Sequence, residues 1–433
     1  MAKKTIPVLG AGLAGLSAAW HMEKDGTDCQ VFEAEPEIGG LCRSKKIKGF
    51  TFDYDGHLLH FNNEYTHNFV KEVLGVKLTR HKRNSFIRYA DCDIPYPFQA
   101  NFSKLPEKIR EECFQGLKEV QDNHKNGYPD FKAWAYASFG KGITEHFMLP
   151  YNEKFWTVPA TELTTEWLDG FVPVLKLDEI INRSAKDLES IGYNNYFYYP
   201  AKGGIQELAF ALGSDMVNKP RLNSKVTQID VKNNKITINQ KENISYDKLI
   251  STIPLPELKN IIKDIPQEAE RLLNLLNYNS ILVFNIGIKS EINNNKHWIY
   301  FPEKKNRYFR IGFYNSFSSD SAPLGHSSIY VEISYPRDTK INKMKLRDEI
   351  IKDLVNTGFV SSSDMIAYCD IIDIKYGYPI YDHNYKNTVS DILNFLTQHN
   401  ICSIGRYGLW RYFSMEDAIL DGRKAACLVS SKK

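Results

Sequence analysis

Hydrophobic and polar positions keep different rhythms along the 433 residues, and each rhythm predicts a kind of element. In "TIPVLGAGLAGLSAAWHMEKDGTDCQVFEAE" a short apolar strand meets a glycine turn, a helix follows, and a second strand ends at Glu33. That is a complete βαβ unit. From 64 to 190 the apolar residues of "TEHFMLPYNEKFW" and "FKAWAYASF" recur at mixed three and four spacing, with proline-bearing turns between segments, which predicts helices. Strand-like alternation follows in "KVTQIDV" and "KITIN", and "YDKLISTIP" reads as a strand returning to the first unit. Residues 278 to 380 carry the β-type runs "SILVFNIGI", "HWIYFP" and "SSIYVEISYP", which suggest an antiparallel sheet bearing a pocket. The C-terminal "NICSIGRYGLWRYFSMEDAILDGRKAACLV" is a strand, a glycine turn and a helix, and it is expected to close the site of the first unit. The chain shows no internal repeat and no low-complexity linker.

The glycine turn carries the first chemistry. Gly10 permits the tight turn, Gly12 lets backbone N–H groups approach a pyrophosphate at the helix N-terminus, and Gly15 lets helix pack close to strand. Glu33, eighteen residues after Gly15, stands where an acid accepts hydrogen bonds from a ribose. Pro7 is unexpected inside a central strand, because it has no ladder donor. In "AEPEIGGLCRS" the pair Gly39 and Gly40 follows the acid, with Arg43 just behind. This resembles the second glycine pair of FAD enzymes of the amine oxidase and mutase type, so FAD is the expected dinucleotide.

The expected fold is therefore α/β, with a discontinuous Rossmann-like FAD-binding domain, an inserted helical domain and an antiparallel β-sheet substrate domain. The division reads 1–63, 191–255 and 385–433 for the FAD-binding parts, 64–190 for the mainly helical insertion and 256–384 for the sheet.

Composition narrows the partners. A formal net charge of +3, with Lys and Arg dispersed, gives no stripe for nucleic acid. Seven cysteines, odd in number and never spaced C-x-x-C, fit free thiols in a reducing compartment. No segment approaches 18 unbroken apolar residues, so a soluble cytoplasmic protein with no membrane span is expected. Aromatic residues make up 13% of the chain, enough for some to line a cleft where flat rings stack on a ligand.

The stretch "DYDGHLLHF" (53–61) admits half a metal site, a catalytic pair or a loop lying against a cofactor, beside a purely structural histidine pair. For metal, no further Cys, His or carboxylate ligands stand nearby at ligand spacing, so none is expected.

Together "GAGLAGLSAAW", "FDYDGHLLHF", "IPYPFQANFSKLP", "MLPYNEKFWTVPATEL", "YYPAKGGIQEL", "HWIYFP", "YGYPIYD" and "GRYGLWRY" run through nearly the whole chain. They resemble the eukaryotic-type UDP-galactopyranose mutases, within the amine oxidase superfamily. The resemblance implies that N5 of a reduced flavin attacks the anomeric carbon of a nucleotide sugar, and that NAD(P)H primes the flavin. It implies that Gly56 and His57 lie against the flavin, with His57 stabilising its reduced form, and that Gly405, Arg406 and Tyr412 approach the cofactor. Tyr96 and Gln99 resemble uridine-binding residues with Phe98 between them, and His60 falls where an aromatic stands near the uracil. Asn152 and Trp156 resemble the pocket floor, and Asn194 a sugar contact. Arg310 resembles one of two diphosphate arginines; Tyr300, Tyr378 and Tyr412 resemble tyrosines bonded to the diphosphate; Arg83 resembles an arginine near the sugar. The chain departs from the pattern at Phe171, where the second diphosphate arginine is expected, with Arg183 or Lys202 as possible substitutes. That departure keeps open an FAD-dependent oxidoreductase of the amine oxidase or protoporphyrinogen oxidase type, and a catalytically silent flavin- or sugar-nucleotide-binding protein. Oligomeric state is not legible.

Overall fold

The computed structural model describes residues 5–120, 127–168, 171–175, 177–182, 191, 195–292 and 294–430. Asn194 and Arg183 lie outside the described residues. Four parallel strands form the N-terminal unit in the order Ile401–Ser403, Leu249–Ser251, Ile6–Leu9, Cys29–Phe32. Three distant pieces of chain thus meet in one sheet, as the discontinuous reading expects. Pro7 is tolerated by register. The amides of Ile6 and Gly10 donate to Asp28 and Phe32 at 3.0 and 2.8 Å on one side. Alternation turns Pro7 to the other side, where pairing with Leu249–Ser251 begins only at Val8.

The second layer is a seven-stranded mixed sheet in the order Ile366–Ile374, Asn279–Ile288, Ser327–Pro336, Arg310–Phe313, Trp298–Tyr300, Ser85–Tyr89, Cys92–Pro95. Every neighbour pair is antiparallel except Trp298–Tyr300 with Ser85–Tyr89. Asn279–Ile288 is buried at all ten positions because both faces are covered. Leu282, Phe284, Ile286 and Ile288 pack with Leu346, Ile350 and Leu354 of the helix Lys343–Asn356. Ile281 and Val283 face the core that contains Phe50 and Phe52. This explains why the strand reads as a nearly continuous apolar run rather than an alternation.

The segment 64–190 departs from the helical expectation in its first third. Leu78–Lys82, Ser85–Tyr89 and Cys92–Pro95 are strands, the first paired with Tyr196–Pro200 and the other two completing the large sheet. Their sequences are short and half polar, and the strands that hold Leu78–Lys82 and Ser85–Tyr89, Tyr196–Pro200 and Trp298–Tyr300, lie more than a hundred residues away, while Cys92–Pro95 pairs back on Ser85–Tyr89. Helices dominate from Phe98 onward, with Glu107–Val120 packed on Phe131–Ile143 and Leu149–Trp156 leading to the cleft. Between 191 and 255, only Leu249–Ser251 joins the parallel sheet. Val226–Asp230, Lys235–Ile238 and Glu242–Ser245 form a separate antiparallel meander.

Candidate functional site

Two cavities meet at the carboxyl edge of the parallel sheet. The first is walled by the glycine turn, Glu33, the Gly39–Gly40 pair, Arg43, Thr252 and Gly405. Gly10 turns the chain at φ +99°, and a Cβ there would lie 2.2 Å from Thr252 Oγ1, whose hydroxyl donates to the Leu9 carbonyl at 2.8 Å. Gly12 is different. A Cβ on it would meet only Gly40 Cα, at 3.9 Å, so the absent side chain leaves room on the cavity side rather than relieving a clash. Gly12 is also the N-cap of the helix Leu13–Lys24, with no side chain capping the free N–H groups of the first turn. Those donors and that open face fit a pyrophosphate.

Glu33 closes the far side: its carboxylate accepts from Ala11 N at 2.6 Å and Glu35 N at 2.9 Å. The second glycine pair packs on the first, Gly39 N donating to the Ala11 carbonyl at 2.8 Å. Arg43 Nε donates to the Gly40 carbonyl at 2.9 Å. Gly15 does not line the cavity; it lies behind it, where a Cβ would be 2.1 Å from the Gly10 carbonyl oxygen. The residues present therefore fit the FAD expected from the sequence, with Glu33 placed for a ribose and the helix N-terminus for phosphates.

The second cavity is a cleft between the helix Leu149–Trp156 and the large sheet. His57, Arg406, Ser414 and Met415 belong to both walls, so the cavities join there. Of the residues expected to hold substrate, Tyr96, Gln99, Arg83, Asn152, Trp156, Tyr300, Arg310, Tyr378 and Tyr412 all line the cleft, as does His60. Tyr412 lines the cleft, its ring under Arg406, which belongs to both walls. Phe98 is corrected: it is fully buried behind the cleft, stacked on Phe147 at 4.9 Å, and supports the wall instead of forming it. Phe171 lines the cleft with its ring edge-on to Tyr412 at 5.0 Å. Lys202 is exposed and does not line it, so it does not replace the missing arginine.

Several cleft groups are already tied to the protein. Gln99 Nε2 donates to the Pro173 carbonyl at 2.8 Å, and Asn152 Nδ2 to the Met148 carbonyl at 2.8 Å. Arg83 lies 4.7 Å over the Tyr96 ring and donates to the Ile191 carbonyl at 2.8 Å. Arg406 donates to the Phe413 carbonyl and lies over the rings of Tyr378 and Tyr412.

The loop 55–57 answers part of the histidine question. A Cβ on Gly56 would be 2.3 Å from Tyr330 Oη, so this glycine is required by the sheet beneath it, whatever else it does. His57 Nδ1 lies 3.1 Å from the Asp55 carbonyl oxygen, an acceptor only, which places the ring proton on Nδ1. Burial pushes His57 below its ordinary value; Asp55 opposes this, and Arg406 and Arg310 reinforce it. His60 is held by the Tyr196 carbonyl at 3.1 Å, and burial pushes it down to about 4. Among the described residues no group of three His, Cys, Asp or Glu side chains could hold a metal ion.

Sequence reasoning missed Glu332, Asp55, Tyr330 and Tyr151. Arg310 Nε and Nη2 both donate to Glu332, the latter at 2.6 Å, and Arg310 Nη2 lies 3.7 Å from Asp55 Oδ1. The available signal was the lone acid in "SSIYVEISYP", a charge in the middle of an otherwise apolar strand.

Comparison with known proteins agrees with this geometry. The family model of flavin containing amine oxidoreductases matches residues 13–357. The chain is 24% identical over 425 residues to a 1-hydroxycarotenoid 3,4-desaturase of Flavobacterium sp. (strain P99-3), covering 86% of this chain and 84% of that one. It is 28% identical over 233 residues to a protoporphyrinogen oxidase of Dictyostelium discoideum, covering 45% and 43%. Among solved structures, a reduced UDP-galactopyranose mutase superposes with a TM-score of 0.93 at 27% identity, over 99% of this chain and 94% of that one. No described helix is long and apolar enough to cross a membrane. With a glycine-walled dinucleotide cavity opening onto an aromatic cleft, and a family match over most of its length, the chain belongs to the flavin-containing amine oxidoreductase family.

Proposed function

We propose that the chain is a flavin-dependent pyranose/furanose mutase acting on a nucleotide sugar. The observation that carries this reading is the shared wall of His57, Arg406, Ser414 and Met415. A dinucleotide held at the glycine turn would have beside it, across that shared wall, a cleft lined by Arg83, Arg310, Arg406, Tyr96, Tyr151, Tyr300, Tyr378 and Tyr412. Guanidinium groups and phenols are donors suited to a diphosphate and a sugar, whereas a hydrocarbon substrate gains nothing from them. The similarity to a reduced UDP-galactopyranose mutase supports the same reading.

Bound there, reduced FAD supplies a nucleophilic N5 for the anomeric carbon, and no net oxidation of substrate is required. The chain's own residues do the rest. Tyr96 and Gln99 hold the base, Arg310 and the tyrosines carry the charge of the departing diphosphate, and a neutral His57 donates from Nδ1 to Asp55 while its ring faces the cofactor end of the cleft. NAD(P)H is the proposed reductant.

An oxidoreductase is the second reading. It is favoured by Phe171, which puts a hydrocarbon ring where a second arginine is expected, and by the desaturase and oxidase names of the relatives. Anaerobic enzyme reduced with dithionite, given UDP-galactopyranose or UDP-galactofuranose and followed by chromatography, separates the two. Interconversion by the reduced form alone supports the mutase. Absence of interconversion, with flavin reduction by an apolar donor, establishes the oxidoreductase.

A further inference from the structure

Arg310 is not a free cation. Two of its donors are taken by Glu332, which is fully buried, and a second carboxylate, Asp55, lies 3.7 Å from the guanidinium. Asp55 and Glu332 thus flank the same guanidinium nitrogen, Nη2. Two ionised carboxylates on one guanidinium in a site of low dielectric would leave one negative charge uncompensated, and a proton held by the pair removes it. We propose that Asp55 and Glu332 share a single proton in the resting protein, making Arg310, Asp55 and Glu332 a neutral triad, and that an anion entering the cleft at Arg310 is taken up together with one further proton from solvent. This rests on the nucleotide-sugar reading of the cleft.

The physical argument is one of uncompensated charge. A phosphate that reaches Arg310 competes with the Glu332 carboxylate for the same fork. A displaced, buried carboxylate is strongly destabilised unless it is neutralised, and protonation neutralises it without moving the backbone. Phe171 sharpens the requirement, since the expected second arginine is absent and Arg310 carries more of the anion's charge.

The surrounding groups leave few other acceptors for such a proton. Burial pushes Glu332 well above the usual carboxylate range, Arg310 opposing and Asp55 reinforcing. Tyr330 on the same strand, Tyr300 and Tyr151 on neighbouring elements and Tyr378 across the cleft are all pushed up by burial, so they stay protonated near neutrality. Arg406 stays charged. His57 and Asp53, on the same loop as Asp55, are the other candidates, and variants at the triad distinguish them.

Calorimetric titration of the holoenzyme with UDP-galactose, in two buffers of different ionisation enthalpy, counts the protons. Its phosphodiesters stay ionised across the neutral range, so any proton exchange belongs to the protein. The expected result is uptake of about one proton and an affinity that falls up to about tenfold per pH unit above the titration of the pair. In Glu332→Gln or Asp55→Asn alone the remaining carboxylate can still take the proton, and in the double variant Asp55→Asn/Glu332→Gln the uptake should vanish. Infrared spectra of ligand-free holoenzyme should show a protonated carboxyl stretch at neutral pH that is missing in either variant. Absence of that band, or uptake that persists in the double variant, overturns the proposal. If UDP-galactose does not bind, the mutase reading falls, while the infrared band still decides whether the proton is shared.

Discussion

At Gly10 the backbone has φ +99° and an added methyl would lie 2.2 Å from Thr252 Oγ1, whereas at Gly12 the nearest atom would be 3.9 Å away. Gly10→Ala should therefore cost about 1–3 kcal/mol of stability. Gly12→Ala should change stability by no more than about 0.5 kcal/mol and yet lose flavin, because its methyl occupies the ligand's side. Thermal melts and the flavin-to-protein absorbance ratio of the two variants check this contrast. Asp53 offers a pH test. Its carboxylate accepts from Ser44 Oγ, Tyr199 Oη and Ile205 N at 2.6, 2.7 and 3.0 Å, yet burial raises it from 3.8 to about 6. A raised pKa means the folded state holds the proton more tightly. The resulting stability is fully present below 3.8 and is lost as pH rises through about 6. Wild type should lose up to about 3 kcal/mol relative to Asp53→Asn across that window, by denaturant titration at several pH values. Arg310→Ala should cost about 3–5 kcal/mol by leaving Glu332 buried without its partner, so its loss of nucleotide binding is to be read beside its melt. The glycine triplet was legible because its spacing is local. The partner of Arg310 was not, because Glu332 reaches it only through the cross-strand register Arg310↔Glu332.

At the scale of elements, Lys154 holds the cleft's two sides together. Its ammonium donates to the carbonyls of Phe301, Glu303 and Asn306 at 2.7, 2.6 and 2.9 Å, tying the helix that carries Asn152 and Trp156 to the loop beyond Tyr300. Lys154→Met should cost about 1.5–3 kcal/mol and weaken nucleotide-sugar affinity although Lys154 does not line the cleft. A melt and a binding titration of the same preparation test both halves. The helices beyond Phe98 and the long strands of the large sheet were legible from periodicity. The strands at 78–95 were not: "LTRHK" has no apolar face of its own and "CDIP" only Cys92 and Ile94 on one, and they become strands by pairing with Tyr196–Pro200 and extending the large sheet.

At the scale of the molecule, the dinucleotide cavity draws its walls from residues 9–57, 224–261 and 405–418, so a bound flavin stitches together distant chain segments. Removal of flavin should lower stability by about 3 kcal/mol relative to holoenzyme with FAD at a hundredfold excess over its dissociation constant, read as a fall in melting temperature that added FAD restores. The discontinuity also orders events in time. A ribosome makes the glycine fingerprint first, but the strand that flanks it, Leu249–Ser251, and the outer strand Ile401–Ser403 emerge hundreds of residues later. The nascent N-terminal unit therefore waits with one side of its central strand unpaired until more than half of the chain has been translated, and the sheet is complete only when nearly all of it has been. A chain released at Asn400 should carry the complete fingerprint and retain no flavin.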